Sequence, residues 1–215
     1  MSEHSSLTDA VLRFSLYADR LKSEIRHSWL SGGRRESVAE HSWHAAVLVL
    51  LLEDTLRASV DVSRVLRLVL VHDLAEAITG DVPVLDQDGS PSGVEARRRA
   101  ESEAMSSMAS ELGSSGQYLY ELWNEFDQAE TPEAMVAAAL DDIEAQLQRN
   151  LADLSTWEPA EYELTYSRVG RHVDDRGPLR ALVDAVVADA ERRWRDAGID
   201  PTVVRARSTA PHQPR

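Results

Sequence analysis

Val71-His72-Asp73-Leu74-Ala75-Glu76 places a histidine beside an aspartate after an apolar helical run. Apolar residues precede it at the three- and four-residue steps of a helix: Val62, Val65, Leu66, Val69 and Leu70. Asp61 can cap this helix, which delivers His72 and Asp73 near its end. Neighbouring residues diverge by about 100° on an ideal helix, yet near a helix end both side chains can reach one ion in front of it. The stretch therefore predicts two metal ligands aimed at one point.

A second predicted helix carries candidate histidines. Ser37 and Glu40 form an S-x-x-E capping box, so this helix begins just before His41. His41 and His44 are three residues apart and can both face the core, but only one imidazole is needed to complete a ligand set. We interpret His44 as an ordinary packed or surface histidine, and Glu40 as a candidate to orient an imidazole.

A third predicted helix carries candidate carboxylates. Thr131 and Pro132 supply an N-cap and a first-turn proline, which places Asp141 and Asp142 in the middle of the helix. Because the two aspartates point in different directions, one should face the core and the other the solvent. A buried carboxylate is costly unless it is paired or bound to a metal. Ligands that converge from three helices indicate a metal site in the core of a helical bundle.

The composition limits the partners. Lys and Arg total 23 against 37 Asp and Glu, a net charge of −14, which argues against binding DNA or RNA through a basic surface. One or two arginines in a cleft can still hold a small anion. The longest apolar run, Ala45 to Leu52, falls far short of the roughly 20 residues that span a bilayer. With no cysteine, a metal must be held by nitrogen and oxygen, and we expect a cytoplasmic protein.

The chain as a whole indicates an all-α protein with no persuasive strand. We expect one domain over residues 1–200 and a disordered tail over residues 201–215, which is rich in Arg and Pro. The first helix is predicted from Leu7 to Ile25, which puts Arg26 near a helix end with its side chain free to turn toward a cleft.

Glu76 follows His72 by four residues and so shares its helix face. This position suits contact with a metal-bound water better than direct ligation, and it predicts an acid/base role. A lone His-Asp pair is weak support for a metal site, since such a pair often only caps a helix.

The wider pattern is more specific than the His-Asp pair and resembles the HD-domain 5'-nucleotidases. The likeness runs in order from about Leu21 to Tyr162. It is carried by Leu21-Lys22, Arg26 and Trp29, Glu36 to Ser42, Leu70 to Asp81, Glu121 to Phe126, and Leu140-Asp141 through Gln148.

The resemblance implies an HD-domain helical bundle with a single metal centre in its core. It makes His41, His72, Asp73 and Asp141 the ligands of one divalent cation per subunit. Co²⁺ or Mn²⁺ is the preferred ion, with Fe²⁺ or Zn²⁺ as alternatives.

The resemblance also implies roles around the metal. Glu76 becomes the acid/base residue, Arg26 the phosphate clamp, and Asp81 a catalytic and substrate-binding contact to the sugar or leaving group. His27 stands where bacterial 5'-deoxynucleotidases place an aromatic residue against the sugar, so we expect weaker discrimination between ribose and deoxyribose. Val94 stands where these nucleotidases tend to carry a lysine.

The expected activity is release of inorganic phosphate from nucleoside or deoxynucleoside 5'-monophosphates by a homodimer or higher homo-oligomer. One alternative is a phosphohydrolase of nucleoside di- or triphosphates in a dedicated biosynthetic pathway. Another is an HD-fold iron oxygenase, which would use additional histidines, yet none occurs between Asp73 and Asp141. A catalytically idle scaffold is a third alternative, and it would be expected to have lost some of the ligand-type residues.

Overall fold

A computed structural model describes residues 3–87, 89–175 and 177–208. The elements in chain order are α1 (Glu3–Ser23), β1 (Ile25–Trp29), β2 (Arg35–Ser37), α2 (Val38–Leu51), α3 (Glu53–Leu56), α4 (Val62–Val71), α5 (Glu76–Thr79), α6 (Pro91–Leu112), α7 (Ser114–Gln128), α8 (Pro132–Leu151), a 3-10 turn (Leu154–Thr156), α9 (Pro159–Ser167), α10 (Arg180–Asp196) and α11 (Pro201–Ser208). The predicted all-α class is confirmed. Among the described residues, no helix combines the length and apolar character needed to cross a membrane.

Three helices pack against one another at the centre of the bundle. Helix α4 contacts both α2 and α8, and α2 also contacts α8. Val49, Leu68 and Leu140, one from each helix, are fully buried members of the main apolar cluster. These are the helices whose sequences carry the predicted histidine and aspartate ligands, so packing of the core brings those ligands together.

Local capping sets where these helices begin, as the sequence predicted. The Ser37 side chain accepts the Glu40 N–H, and the Glu40 carboxylate accepts the Ser37 N–H, which completes the capping box of α2. Asp61 caps α4 by accepting the Arg64 N–H. Thr131 caps α8 in the same way. Each cap satisfies helix N–H groups that have no partner inside the helix.

The structure contains a small hairpin that was not predicted from the sequence. Strands β1 and β2 pair antiparallel, and the connection contains Gly33 with a φ of +80°, a conformation that favours glycine. Arg26 therefore lies on a strand and not at a helix end. The aromatic and β-branched ends of the segment, Ile25 and Trp29, favour the extended conformation, and the Leu30 N–H donates to the Arg34 carbonyl at 2.8 Å.

The prediction of disorder from residue 201 is wrong for Pro201–Ser208, which form α11. Val204 is buried in a second apolar cluster with Trp157 and Trp194. The Arg205 guanidinium lies 4.4 Å from the centre of the Tyr166 ring. These contacts come from residues distant in sequence and anchor the segment. The remainder of the predicted tail, 209–215, lies outside the described residues.

Candidate metal centre and active-site cleft

Four side chains, from α2, from the turn directly after α4 and from α8, place candidate ligand atoms around one point. His41 Nε2 lies 3.2 Å from His72 Nε2 and 3.0 Å from Asp141 Oδ1. His72 Nε2 lies 3.1 Å from Asp73 Oδ2 and 3.7 Å from Asp141 Oδ1, and the distance from His41 Nε2 to Asp73 Oδ2 is 3.8 Å. Two ligands each about 2.1 Å from one ion lie roughly 3.0 to 3.4 Å apart at octahedral or tetrahedral angles. The distances of 3.0, 3.1 and 3.2 Å fall in this range, and those of 3.7 and 3.8 Å are longer. The closest contacts thus have the spacing of ligands around a single cation.

The other ring nitrogens hold both imidazoles in the required orientation. His72 Nδ1 donates to the Val69 carbonyl at 2.7 Å, and His41 Nδ1 hydrogen-bonds to the buried carboxylate of Glu144. With Nδ1 carrying the proton, each Nε2 presents a lone pair to the shared point. Burial lowers the pKa of His41, but the carboxylates of Glu144 and Asp141 outweigh it and raise the pKa to about 9. The carboxylates that stabilise a second proton on His41 would equally stabilise a cation bound at Nε2 in place of that proton.

Glu144 was not predicted from the sequence to take part in this site. Its side chain is fully buried, and its second oxygen lies 2.7 Å from His44 Nδ1. Glu144 follows Asp141 by three residues, just as His44 follows His41, so the two helices face each other with matched pairs. This repeated three-residue spacing is the sequence feature from which the pairing of Glu144 with the histidines could have been predicted. His44 is half-buried and contacts Glu144. This is in line with the interpretation of His44 as an ordinary packed histidine.

Contrary to the expectation from the sequence, Glu40 does not orient an imidazole. Its carboxylate accepts from Ser37 within the capping box and pairs with Arg34 at the surface. The cap engages the side chain at the start of α2 and leaves the orienting role to Glu144. Glu40 and His41 are neighbours on the helix and therefore diverge.

Asp142 is not solvent-exposed, contrary to the expectation that one of the two aspartates would be. It is 7% exposed, and its Oδ2 lies 2.7 Å from Arg171 Nε. Arg168 Nε is 3.7 Å from its Oδ1. Both arginines come from the segment after α9, so their pairing with Asp142 could not be predicted from the sequence of α8 alone. Asp141 is the aspartate that faces the histidines.

Arg26 lies beside the ligand cluster. Its Nη1 is 3.4 Å from Asp73 Oδ2, and its Nε is 3.5 Å from Glu36 Oε2. Glu36 is almost fully buried, and burial together with the nearby Glu144 raises its pKa to about 7. Strand β1 thus presents a guanidinium beside the candidate metal ligands, where a guanidinium can bind an anion.

Glu76 and Asp81 stand on the other side of the cluster. Glu76 Oε2 is buried and has no hydrogen-bond partner among the described residues. Burial, followed by the charges of Asp73 and Asp81, raises the pKa of Glu76 to about 10. Gly80, with a φ of +78°, turns the chain after α5 so that the Asp81 N–H donates to Glu24 Oε1 at 3.0 Å. A buried carboxyl oxygen without a partner is placed to exchange a proton with a bound molecule.

These residues open into one cavity of about 350 Å³, a size typical of small-molecule sites. The sequence-predicted residues in its lining are Arg26, His27, His72, Asp73, Glu76, Asp81 and Asp141. His41 lies beneath it, fully buried. His27 Nε2 lies 3.3 Å from Glu158 Oε1, so the C-terminal part of the chain closes this side of the cleft.

Comparison with known proteins shows what the chain is similar to. The 5'-deoxynucleotidase HDDC2 of Xenopus laevis is 32% identical over 173 residues, which cover 79% of this chain and 78% of the relative. The human 5'-deoxynucleotidase HDDC2 is 34% identical over 142 residues, 65% of this chain and 66% of the human protein. The crystal structure of a predicted metal-dependent phosphohydrolase from Magnetospirillum magnetotacticum MS-1 matches with a TM-score of 0.73 and 28% identity, covering 91% of this chain and 100% of that chain.

The family profile described as HD domain matches residues 18–178, which include all four candidate ligand residues as well as Arg168 and Arg171. The resemblance found in the sequence is thereby confirmed, and the chain belongs to the HD domain family.

Proposed function

We propose that the protein is a metal-dependent phosphohydrolase that releases inorganic phosphate from nucleoside or deoxynucleoside 5'-monophosphates. One arrangement carries the proposal: the Arg26 guanidinium lies 3.4 Å from Asp73 Oδ2, at the floor of the cavity that the ligand atoms share. A cation and a guanidinium side by side suit a dianionic phosphate. The relatives named 5'-deoxynucleotidase support the nucleotide as substrate.

In this proposal His41, His72, Asp73 and Asp141 hold one divalent cation per subunit. Two imidazoles and two carboxylates suit a transition dication, with Co²⁺ or Mn²⁺ ahead of Fe²⁺ and Zn²⁺. When bound, the cation supplies Lewis-acid polarisation of the phosphate and lowers the pKa of a water. Glu144 keeps the His41 imidazole in the tautomer that ligation requires.

The remaining roles fall to groups that line the cavity. Arg26 binds the phosphoryl oxygens and stabilises the charge that they gain in the transition state. The buried Glu76 carboxyl transfers a proton to the departing sugar oxygen. Asp81 accepts a hydrogen bond from a sugar hydroxyl. His27, whose Nε2 lies 3.3 Å from Glu158 Oε1, stands where bacterial 5'-deoxynucleotidases place an aromatic residue against the sugar. We therefore expect weaker discrimination between ribose and deoxyribose than in those enzymes.

We propose a cytoplasmic location and a homo-oligomeric assembly. The absence of cysteine fits a reducing compartment, which supports a cytoplasmic enzyme. The resemblance to the HD-domain 5'-nucleotidases supports a homodimer or higher homo-oligomer.

A metal-by-substrate screen tests the proposal. Metal-free protein is loaded separately with Co²⁺, Mn²⁺, Fe²⁺ and Zn²⁺ and assayed for phosphate release from matched mono-, di- and triphosphates of both sugars. Arg26→Ala should lose most of the activity. Arg57→Ala, which removes a surface guanidinium paired with Asp54, is the matched control and should keep it. Attack on di- or triphosphates instead would keep a phosphohydrolase but overturn the nucleotidase assignment, and oxygen consumption by an iron-loaded protein would favour the oxygenase.

A further inference from the structure

The cleft has a second charged wall that the metal-centred roles do not use. Arg149 of α8 and Arg168 and Arg171 of the segment after α9 line the same cavity as the ligand residues. Arg149 is 9% exposed, and the side chains of Arg168 and Arg171 are 29% and 40% exposed. These three arginines form the distal arginine cluster.

Carboxylates do not balance this cluster. Asp142 pairs with both Arg171 and Arg168, at 2.7 and 3.7 Å. Arg149 donates from Nη2 and Nε to the neutral amide oxygen of Gln146, at 2.9 and 3.3 Å.

The other nearby carboxylate, Glu161, is already engaged, because it accepts the Glu158 N–H at 2.7 Å. Asp141, a predicted metal ligand, also acts on Arg168. Apart from it, three guanidiniums share two carboxylates. Burial lowers the pKa of Arg149 to about 10, since the surrounding carboxylates do not offset the loss of hydration around its charge. A surplus of positive charge inside a chain of net charge −14 is a local feature that attracts anions.

The helix α8 sets the distance between the two ends of the cleft. Asp141, Ala145 and Arg149 all line the cavity at four-residue steps, so they lie on one face of the helix. A rise of 1.5 Å per residue puts Arg149 about 12 Å along the axis from Asp141. The small side chain of Ala145 leaves the space between them open. A nucleotide whose 5'-phosphate meets Arg26 would extend its base toward the cluster.

We propose that the distal arginine cluster is a second anion subsite, and that the preferred substrates are 5'-nucleotides that carry a second anionic group on the base side. The inference rests on the proposed function for the first phosphate. Guanidiniums bind carboxylates and phosphates alike, often with two parallel hydrogen bonds, so the shared chemistry is an oxyanion.

A matched pair of substrates tests the inference on the metal-loaded enzyme. AMP is compared with N6-(1,2-dicarboxyethyl)-AMP, which differs only by a dicarboxylate at the far edge of the base. Adenosine 3',5'-bisphosphate is a third substrate, in which the second anion is on the sugar. The variants are Arg168→Gln and Arg171→Gln, because the more deeply buried Arg149 contributes to folding. Arg180→Gln is the control, since Arg180 pairs with Asp184 and is absent from the lining of this cavity.

We expect kcat/KM for the dicarboxylate to exceed that for AMP by roughly tenfold or more, the effect of one charge-assisted hydrogen bond. Arg168→Gln and Arg171→Gln should each reduce this ratio about tenfold, and Arg180→Gln should not change it. Preference for the bisphosphate, lost in the same variants, would support the subsite and move the second anion to the sugar. Equal kcat/KM for all three substrates, or a ratio that the variants do not change, would overturn the inference.

A binding measurement separates failure of the inference from failure of the proposed function. Calorimetry compares N6-(1,2-dicarboxyethyl)adenosine with adenosine, neither of which has a phosphate to release. Tighter binding of the dicarboxylate that Arg168→Gln abolishes supports the subsite even if no nucleotide is hydrolysed. Equal binding of the two nucleosides counts against it even if AMP is hydrolysed.

Discussion

Replacing Glu144 by Gln should weaken metal binding without unfolding the protein. The Glu144 carboxylate is fully buried and contacts Nδ1 of both His41 and His44. Burial raises the pKa of Glu144, but the charge and hydrogen bonds of the two histidines outweigh it and lower the pKa to about 2. The group is therefore an anion at neutral pH. Glutamine keeps its shape and removes its charge.

The size of the effect follows from the contacts. Glu144 contacts His41 at Nδ1 and not at the Nε2 that faces the other candidate ligands, so it fixes the His41 tautomer and increases the basicity of Nε2. Loss of such an orienting partner typically weakens metal affinity by roughly 10- to 100-fold. That corresponds to about 1.4 to 2.7 kcal/mol. His44→Gln removes only the second contact, at 2.7 Å, and leaves the pairing of Glu144 with His41 in place. It should therefore cost less than tenfold.

Competition against a chelating dye measures both dissociation constants, and circular dichroism with urea titration checks that each variant is folded. The predicted order of affinity is wild type, then His44→Gln, then Glu144→Gln. A folded Glu144→Gln protein that binds Co²⁺ or Mn²⁺ as tightly as wild type would refute the reasoning, because the carboxylate would then have no part in orienting His41.

Three further outcomes are expected. Glu76→Ala should keep its metal, measured by elemental analysis, but lose roughly 10²- to 10⁴-fold in turnover, the usual contribution of a general acid or base; loss of metal would make Glu76 a ligand instead. Gly116→Ala should lower the urea unfolding free energy by about 1–3 kcal/mol, because a Cβ there would lie 2.5 Å from the Ala109 carbonyl oxygen, whereas Gly32→Ala meets nothing within 4 Å and should cost little. Glu40 has a pKa lowered to about 2, chiefly by Arg34, so its stabilisation is present above the ordinary value of 4.5 and is lost as pH falls toward 2. The stability deficit of Glu40→Gln should therefore shrink over that range, and a constant deficit would contradict the assignment.

Features set by local sequence were predictable. The caps at Ser37, Asp61 and Thr131 act within one helical turn, so the starts of α2, α4 and α8 followed from nearby residues. The adjacency of His72 and Asp73, read with the family pattern, led to the four side chains whose ligand atoms the structure brings together. Their role as metal ligands stays a prediction.

Features set by contacts between distant residues were not predictable in the same way. Which of Asp141 and Asp142 faces the histidines depends on arginines that follow α9 and pair with Asp142. The contact of Glu144 with His41 depends on the packing of α8 against α2. The helix at Pro201–Ser208 forms because Val204 packs with aromatic residues of α9 and α10. A stretch as short as Ile25–Trp29 carries too few residues to distinguish a strand from the continuation of a helix.

Titration of metal-free protein with Co²⁺ or Mn²⁺, followed by phosphate release from dAMP and AMP, tests the central claim most directly. A single His₂Asp₂ centre predicts that activity rises in proportion to added metal and stops rising at one equivalent per subunit, with monophosphates as substrates. A break at two equivalents would contradict the single centre. No phosphate release at any metal content would contradict the proposed reaction.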